Sequence, residues 1–428
     1  MSERTYTNPV HGGYLGDPFV LKHNGEYYAY GTVPLREPAV PVLHSRDLVN
    51  WRQLGHALTL PGDAFEALWA PEVAYDNGTF YMYYSAGGEE GEGHQLRVAL
   101  ASHPAGPFED SNRVLTPDDP FTIDAHPFRD DDGRWYLYYC LYSGGAWREP
   151  NYGVSYVLAD HPMGPFAPEA DAEGSGILRT SPGRVVGPGH ASVVLAPDNV
   201  HEYLVYHAWD PGHTSRQMRI DPLNWGEGGP CSTGPTLGPR PAPPLPLFRD
   251  NFDGPGGTPP GPGSWQVDGG DWRHTDGELV QRDPGARSAT AQIVGVALHG
   301  ESLIEANVRL LEAGDESGRY GVSLEHGPGD LTLLMFAADG SGLSCDRVRD
   351  PGETGPRSSP LTLGAGFRSD AYHRLVVSVR GGELRVWVDG VRVASGIETR
   401  PGASGVGLIT SGASAAFDGV SVAPYVRR

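Results

Sequence analysis

Residues 124–139 read DAHPFRDDDGRWYLYY, and related segments occur at three other places in the chain. They are DPFVLKHNGEYYAY at 17–30, APEVAYDNGTFYMYY at 70–84 and, more weakly, GPGHASVVLAPDNVHEYLVY at 187–206. Each combines a short apolar strand, a turn rich in Asn, Asp or Gly, and an aromatic strand, which is a strong hairpin signal. The units open at 17, 70, 124 and 187, and a repeat of roughly 50 residues is typical of four-stranded propeller blades. The sequence therefore predicts a β-propeller in the first half.

The composition agrees with an all-β protein of more than one domain. The chain has 428 residues, 60 glycines and 39 prolines, and aromatic residues make up 10% of it. A chain of this length is expected to hold two or three domains. Abundant turn residues and aromatic side chains favour strands over helices, and no segment keeps a helical apolar period over three turns.

The charge and the cysteines restrict the partners and the compartment. The formal net charge is −21, which argues against nucleic acid because phosphate binding needs clustered Lys and Arg. Neutral sugars or cations fit better. Three well-separated cysteines form no disulfide pattern, and the sequence shows neither a signal-peptide pattern nor a membrane-spanning apolar run. We therefore expect a cytoplasmic protein without a membrane partner, and its oligomeric state stays open.

The chain divides at a proline-rich stretch. Residues 1–235 form the predicted propeller, residues 236–247 a stiff linker, and residues 248–428 a second domain of alternating strands. The hairpin YHRLVVSVRGGELRVWV at 372–388 is typical of the second domain. This domain resembles the concanavalin-like jelly-roll β-sandwiches, which are often sugar-binding modules. A purely stabilising domain is the alternative, because Trp and Tyr there are more often core residues than sugar platforms.

The openings of the propeller units carry the candidate chemistry. The innermost strand of each blade starts near the central channel, so Asp17, the segment 69–72 (WAPE), Asp124 and His190 should converge there. Glycosidases need two carboxyl groups across the scissile bond, and Trp69 offers a flat face to a sugar ring. Hydrolysis of a sugar is therefore a natural hypothesis for this cavity.

Five segments resemble glycoside hydrolase family 43, in the order of that family. They are GDP at 16–18, WAPE at 69–72, IDAHPF at 123–128, GPGH at 187–190 and RQMRIDP at 216–222. Together they cover residues 8–235. The family is a five-bladed propeller, and its members are inverting arabinofuranosidases, β-xylosidases and related hydrolases.

The resemblance implies a role for each matching residue. Asp17 would be the general base, Asp124 would tune and orient the acid, and Arg216 would face the substrate. His190 would lie beside a structural calcium ion or its water shell in the channel, and no other cofactor is implied. From the residues alone, Asp17 could instead cap an Asx turn, His190 could be a buried hydrogen-bonded histidine, and Arg216 could be a structural ion-pair partner.

One family segment is missing. No Glu-Gly-Pro, which would carry the general acid, occurs in the sequence, and the spacing from 124 to 187 barely exceeds one repeat. The simplest interpretation is that the end of the third blade and the start of the fourth are absent, so that the remaining parts form one composite blade and leave four blades instead of five. Glu72 and Glu149 are conceivable substitutes for the general acid. A structural role suits Glu72 better, and a solvated position in a loop suits Glu149 better.

Three hypotheses follow for the function. The first is an inverting glycosidase that acts on arabinose- or xylose-containing oligosaccharides. The second is a non-catalytic propeller that holds a sugar after losing its acid. The third is a damaged gene product whose parent was the enzyme.

Overall fold

The computed structural model describes most of the chain. The described residues are 4–34, 39–60, 65–88, 93–119, 121–130, 133–142, 152–159, 161–163, 167–169, 185–226, 229–254, 264–296, 298, 301–327, 329–348, 361–363, 366–398 and 405–424. Every regular element in these ranges is a β-strand, and they hold no helix long and apolar enough to cross a membrane. The predicted all-β class is confirmed.

The chain divides into two compact units. The first contains residues 1–197 and 201–244, and the second contains residues 198–200 and 245–428. Two short strands of the first unit, β1 (Thr5–Tyr6) and β18 (Arg240–Pro241), pair with each other. This pairing holds the two ends of the first unit together.

Four antiparallel sheets of four strands make up the described part of the first unit. The first sheet contains β2 (Gly16–His23), β3 (Glu26–Thr32), β4 (Ala39–Ser45) and β5 (Trp51–Thr59). The second contains β6 (Ala67–Asp76), β7 (Thr79–Gly87), β8 (Gln95–Ala101) and β9 (Glu109–Val114). The third contains β10 (Thr122–Arg129), β11 (Trp135–Tyr142), β12 (Tyr152–Ala159) and β13 (Ala167–Glu169). The fourth contains β14 (Val186–Leu195), β15 (Glu202–Trp209), β16 (Arg216–Gly226) and β17 (Gly229–Ser232).

The four sheets are propeller blades, and the aromatic strands of the repeat form the cores between them. The first strands of neighbouring sheets pack together in the order β14, β2, β6, β10. Tyr30 and Tyr84 lie in the core between the first and second sheets, Tyr27 lies between the fourth and first, and Tyr83 lies between the second and third. The prediction of a propeller with four blades rather than five fits the four sheets seen in the described residues.

The third sheet has two different faces. Trp135, Leu137 and Tyr139 are buried against the second sheet, whereas Tyr136 and Tyr138 on the other face are half-buried. No core of the same kind joins the third and fourth sheets within the described ranges. Residues 143–151 and 170–184 lie outside the described residues.

The second unit is a sandwich of two antiparallel sheets, as the alternating strands predict. One sheet has strand order β21-β22-β32-β24-β28-β29-β30 with β19 beside β32, and the other has order β20-β23-β31-β25-β26-β27. The bounds are β19 (Phe248–Asp250), β20 (Trp265–Asp268), β21 (Trp272–Thr275), β22 (Glu278–Gln281), β23 (Ala289–Ile293), β24 (Ser302–Ala313), β25 (Arg319–Gly327), β26 (Asp330–Ala337), β27 (Leu343–Val348), β28 (His373–Arg380), β29 (Glu383–Val388), β30 (Val391–Glu398), β31 (Gly405–Ser411) and β32 (Ala413–Pro424).

The aromatic residues of the sandwich serve its core. Trp265 and Trp272 are 3% and 2% exposed and pack in one continuous apolar cluster between the two sheets. Neither indole ring can therefore be a surface platform for a sugar. Of the two alternatives for these side chains, the structural one describes Trp265 and Trp272.

Candidate active site

The same backbone irregularity opens the first strand of each blade. Asp17, Ala70, Asp124 and His190 have φ angles of +47°, +47°, +59° and +47°, and strand pairing shifts register next to each of them. A bulge of this kind redirects a side chain and is frequent beside active sites. The equivalent position in the fourth blade is therefore His190, three residues after the opening at Gly187.

Asp17 is held by side chains from two blades. Its Oδ1 accepts a hydrogen bond from Nη1 of Arg216 at 2.8 Å, and its Oδ2 accepts one from the Thr32 hydroxyl at 2.6 Å. The backbone amide of Ala70 donates to the same Thr32 oxygen at 2.9 Å. These contacts join the openings of the first two blades. The Asp17 carboxylate is thus part of a network between blades, and these contacts differ from those of a local Asx turn.

His207 is the third neighbour of Asp17. Its Nδ1 lies 3.0 Å from the Asp17 amide nitrogen and 3.3 Å from Oδ1. A neutral Nδ1 accepts the amide proton, whereas a protonated one pairs with the carboxylate. Burial raises the pKa of Asp17, but the hydrogen bond to His207 and the charges of His190 and Arg216 outweigh it and lower the pKa below its usual range. The carboxylate therefore stays ionised.

Arg216 is fixed by aromatic side chains as well as by Asp17. Its Nε donates to the Tyr14 hydroxyl at 3.0 Å, and its guanidinium carbon lies 5.7 Å from the Tyr14 ring and 6.0 Å from the Trp209 ring. A cation over an aromatic face is stabilised by the ring quadrupole. Burial lowers the pKa of Arg216, and the Asp17 carboxylate and Tyr14 outweigh this and raise it. Arg216 is thus a permanent cation beside the candidate base.

Asp124 lies on the third blade and is more accessible than Asp17. Its side chain is 34% exposed, against 14% for Asp17. Burial is the largest cause that raises the pKa of Asp124, and Asp17 and Glu72 add to it while His190 and the Cys140 thiol oppose it. Burial and Asp124 in turn raise the pKa of Cys140 to about 12. The two predicted catalytic carboxyl groups therefore have pKa values shifted in opposite directions, which is a feature of acid–base sites.

His190 faces three acidic residues of the channel. Its Nδ1 lies 3.7 Å from Oδ1 of Asp124 and its Nε2 lies 3.8 Å from Oε1 of Glu72. Burial lowers the pKa of His190, but Asp17, Asp124 and Glu72 outweigh it and raise the pKa. His190 is therefore best described as an imidazolium among carboxylates.

The residues around His190 are a poor fit to a bound calcium ion. Calcium takes six to eight oxygen ligands at roughly 2.3–2.6 Å. No group of three metal-binding side chains occurs among the described residues. Nε2 of His190 is buried and lacks a hydrogen-bond partner among these residues, but the described side chains around it do not supply an oxygen cage of that kind.

Glu72 is buried and held by another histidine. Its Oε2 lies 2.7 Å from Nδ1 of His126, and its side chain is 6% exposed, whereas that of His126 is 47% exposed. Burial lowers the pKa of His126, but the Glu72 charge and hydrogen bond outweigh it and raise the pKa. Of the two substitute acids considered from the sequence, Glu72 is thus engaged in an ion pair, and Glu149 lies outside the described residues.

Trp69 lies next to the bulge of the second blade. It is half-buried, and its indole ring stacks on the buried His94 ring at 3.8 Å between centroids and 21° between planes. This stacking fixes the orientation of the indole. The predicted substrate-binding Trp is therefore a rigid surface at a blade opening.

Sequence reasoning missed several residues of this site. Thr32 and His207 contact Asp17, and Tyr14 and Trp209 hold Arg216. Thr32 ends the aromatic strand β3, and His207 and Trp209 follow Tyr206 at the end of β15. The sequence feature that could have identified Thr32, His207 and Trp209 is a polar or bulky residue at the end of the second strand of a repeat unit.

Comparisons with known proteins give a family match for part of the propeller. Residues 6–152 match the sequence model of Glycosyl hydrolases family 43. A β-D-galactofuranosidase from Aspergillus niger is 28% identical, over 52% of this chain and 83% of that protein. A xylan 1,3-β-xylosidase from a Vibrio species is 30% identical, over 33% of this chain and 28% of its own length.

A solved thermostable family-43 glycoside hydrolase covers 56% of this chain and 99% of its own, at 28% identity and a TM-score of 0.44. The chain thus spans most of the Aspergillus relative and little more than a quarter of the Vibrio one. The matched residues 6–152 include Asp17, Trp69 and Asp124, with the bulges that carry them. The first part of the propeller, residues 6–152, is therefore similar to glycosyl hydrolase family 43.

Proposed function

We propose that the propeller hydrolyses O-glycosidic bonds in arabinose- or xylose-containing oligosaccharides, with Asp17 as the general base. The observation that carries this proposal is the environment of Asp17, a mostly buried carboxylate fixed by Thr32 and Arg216 at the opening of the first blade. The match of residues 6–152 to family 43 and relatives named as glycosidases support hydrolysis of a glycoside.

Asp17 would activate a water molecule. Each of its oxygens accepts one strong hydrogen bond from the protein, and a carboxylate oxygen has a second lone pair that can accept a water proton. Because the lowered pKa keeps Asp17 ionised, it is ready to act as a base over a wide range of pH. The water would attack the anomeric carbon from the face opposite the leaving group and invert its configuration.

Asp124 would act on the side of the leaving group, opposite the attacking water. Its accessible carboxyl group, raised pKa and contact with His190 suit a group that orients the leaving sugar and tunes the proton donor. The donor itself is unassigned, because Glu72 is committed to His126 and no Glu-Gly-Pro occurs in the chain. No cofactor takes part in these steps.

Relatives and the surface of the site support the proposed substrate class. The Vibrio relative is named as a xylosidase, and another, from Butyrivibrio fibrisolvens, is named as a xylosidase/arabinosidase. A fixed indole such as Trp69 suits the apolar face of a pentose, and the fixed guanidinium of Arg216 can donate to hydroxyl groups.

The alternative is a propeller that binds such sugars without cleaving them. It is favoured by the unassigned proton donor, since acid–base assistance contributes about 10²–10⁴-fold to a rate. Binding would use the same Trp69 and Arg216, whereas Asp17 would then need no particular ionisation state.

One experiment separates the two. The full-length protein is incubated with p-nitrophenyl arabinofuranoside and xyloside and with xylobiose, and proton NMR records the first anomer of the product. Hydrolysis with inverted configuration supports the enzyme. Saturable binding of xylobiose without release of monosaccharide supports the binding protein and contradicts the proposal.

A further inference from the structure

A cleft of about 560 Å³ lies on the six-stranded sheet of the sandwich. Its polar lining comes from four strands, with Gln266 and Asp268 on β20, Thr290 and Gln292 on β23, Glu325 on β25 and Gly405 on β31. Val294, which is 43% exposed, gives it an apolar side, and Ile293 and Val296, which pack in or on the sandwich core, also line it. This volume lies in the range of small-molecule sites, about 300–1,000 Å³.

Strand alternation places this cleft on the outer face of the sheet. On β25, Tyr320, Val322 and Leu324 point into the sandwich core, so Ser323 and Glu325 point to the other face. On β23, Ala289 and Ala291 belong to the core, so Thr290 and Gln292 share that outer face. The cleft is thus separate from the sandwich core.

Two glycines of β31 keep the cleft open. A Cβ at Gly405 would lie 3.1 Å from Oε2 of Glu325, and one at Gly407 would lie 2.7 Å from the Gln292 amide and 2.8 Å from the Ser323 hydroxyl. Ser323 is 1% exposed, and its hydroxyl has no hydrogen-bond partner among the described residues. Because Gly405 and Gly407 have no side chains, polar side chains from the two neighbouring strands can lie across β31 at these positions.

The chemistry of the lining selects the ligand class. The two amides both donate and accept hydrogen bonds, the two carboxylates accept, and the Thr290 hydroxyl does both. A polyhydroxyl compound uses donors and acceptors in this mixture, and the apolar side suits the C–H face of a sugar ring. Two carboxylates with no Lys or Arg in the lining repel anions, so uronic acids and phosphosugars are disfavoured.

We propose that this cleft of the sandwich binds a neutral sugar unit of an oligosaccharide, at a site distinct from the propeller channel. Hydroxyl groups of the sugar would bridge Gln292 and Glu325 across Gly405 and Gly407, and the exposed Val294 side chain would cover its C–H face. The sandwich would then hold a glycan independently of its hydrolysis.

Methyl NMR of the full-length chain tests this locally. The protein carries Asp17→Asn to prevent turnover, and the methyl signals of Ile293, Val294 and Val296 are followed during titration with xylotetraose, arabinotetraose or galactotetraose. We expect saturable shifts with at least one of them and weaker shifts with tetragalacturonate. Gly405→Val, which fills the cleft, and Gln292→Ala should each weaken the response about tenfold or more, whereas Glu383→Gln on the other sheet should leave it unchanged.

Three outcomes would contradict the proposal. If no neutral tetrasaccharide shifts these methyl signals, the proposal is wrong. It is also wrong if calcium chloride or a lysine-rich peptide shifts them and the sugars do not, or if Gly405→Val and Gln292→Ala bind as well as the parent. Because the signals come from the cleft and the protein is catalytically silenced, none of these results bears on hydrolysis by the propeller.

Discussion

Nη1 of Arg216 lies 2.8 Å from Oδ1 of Asp17, although 199 residues separate them in the chain. The contact joins the first and fourth blades at the channel. The family resemblance implies that Arg216 faces the substrate and that Asp17 is the base. The contact shows that Arg216 also holds the carboxylate of the candidate base. Arg216 therefore positions Asp17 and keeps it ionised.

Replacement of Arg216 should move the pH profile. In Arg216→Gln the guanidinium charge no longer lowers the pKa of Asp17, so this pKa rises towards its ordinary value. The proposed mechanism requires ionised Asp17, and the acidic limb of kcat/KM against pH should therefore shift to higher pH. Arg385→Gln, an exposed change on the sandwich, is the control. An acidic limb at the wild-type position would exclude this role for Arg216.

A small change at Gly16 should have a related effect without removing a charge. A Cβ there would lie 2.6 Å from the guanidinium carbon of Arg216, so Gly16→Ala should displace the guanidinium from Asp17 and lower kcat about tenfold or more. Gly12→Ala is the matched control, because nothing lies within 4 Å of its Cβ position. Equal activity of the two variants would show that the Arg216 position does not matter.

Thr32 should affect turnover more than substrate binding. Its hydroxyl connects Asp17 to the Ala70 amide, so Thr32→Val leaves one carboxylate oxygen unheld and a buried amide without its acceptor. We expect kcat to fall about tenfold with KM little changed, and unfolding to become easier by about 1–3 kcal/mol. Thr32→Ser should restore both kcat and stability. If Ser fails to rescue, the methyl group and not the hydroxyl is responsible.

The Glu72–His126 pair predicts a pH effect on stability. Glu72 raises the pKa of His126 in the folded protein. This stabilisation is fully present below the unfolded pKa of about 6.5 and is lost as the pH rises through the higher folded value. Glu72→Gln should lower the His126 pKa in an NMR titration and flatten that part of the pH–stability curve. An unchanged His126 titration would contradict the pairing.

The repeat itself made the propeller predictable. A turn followed by an aromatic strand fixes each hairpin locally, and the period of the repeat fixes how the hairpins are arranged. Asp17, Asp124 and His190 could be placed at the channel because they occupy one position of that repeat. Their shared positive φ was not evident from the sequence, since Ala70 at the same position has no preference for it.

The contacts around Asp17 were not predictable in the same way. Thr32 and His207 lie on the second strands of the first and fourth blades. The sequence of these strands predicts aromatic core residues but does not indicate which residues face the channel. The pairing of Glu72 with His126 depends on a close approach of β6 and β10 that no spacing encodes. The sandwich cleft depends on two glycines in β31, and glycine in a strand does not by itself tell which side chains will cover it.

The most direct test of the proposed mechanism is the ratio of kcat/KM for wild type and Asp17→Asn on p-nitrophenyl arabinofuranoside or xyloside, measured at neutral pH. Asn keeps the shape of the side chain and can still accept from Thr32, but it cannot take a proton from water. If Asp17 is the general base, kcat/KM should fall about a thousandfold, within the range of acid–base contributions. Wild-type hydrolysis that Asp17→Asn retains to within threefold would show that another group activates the water.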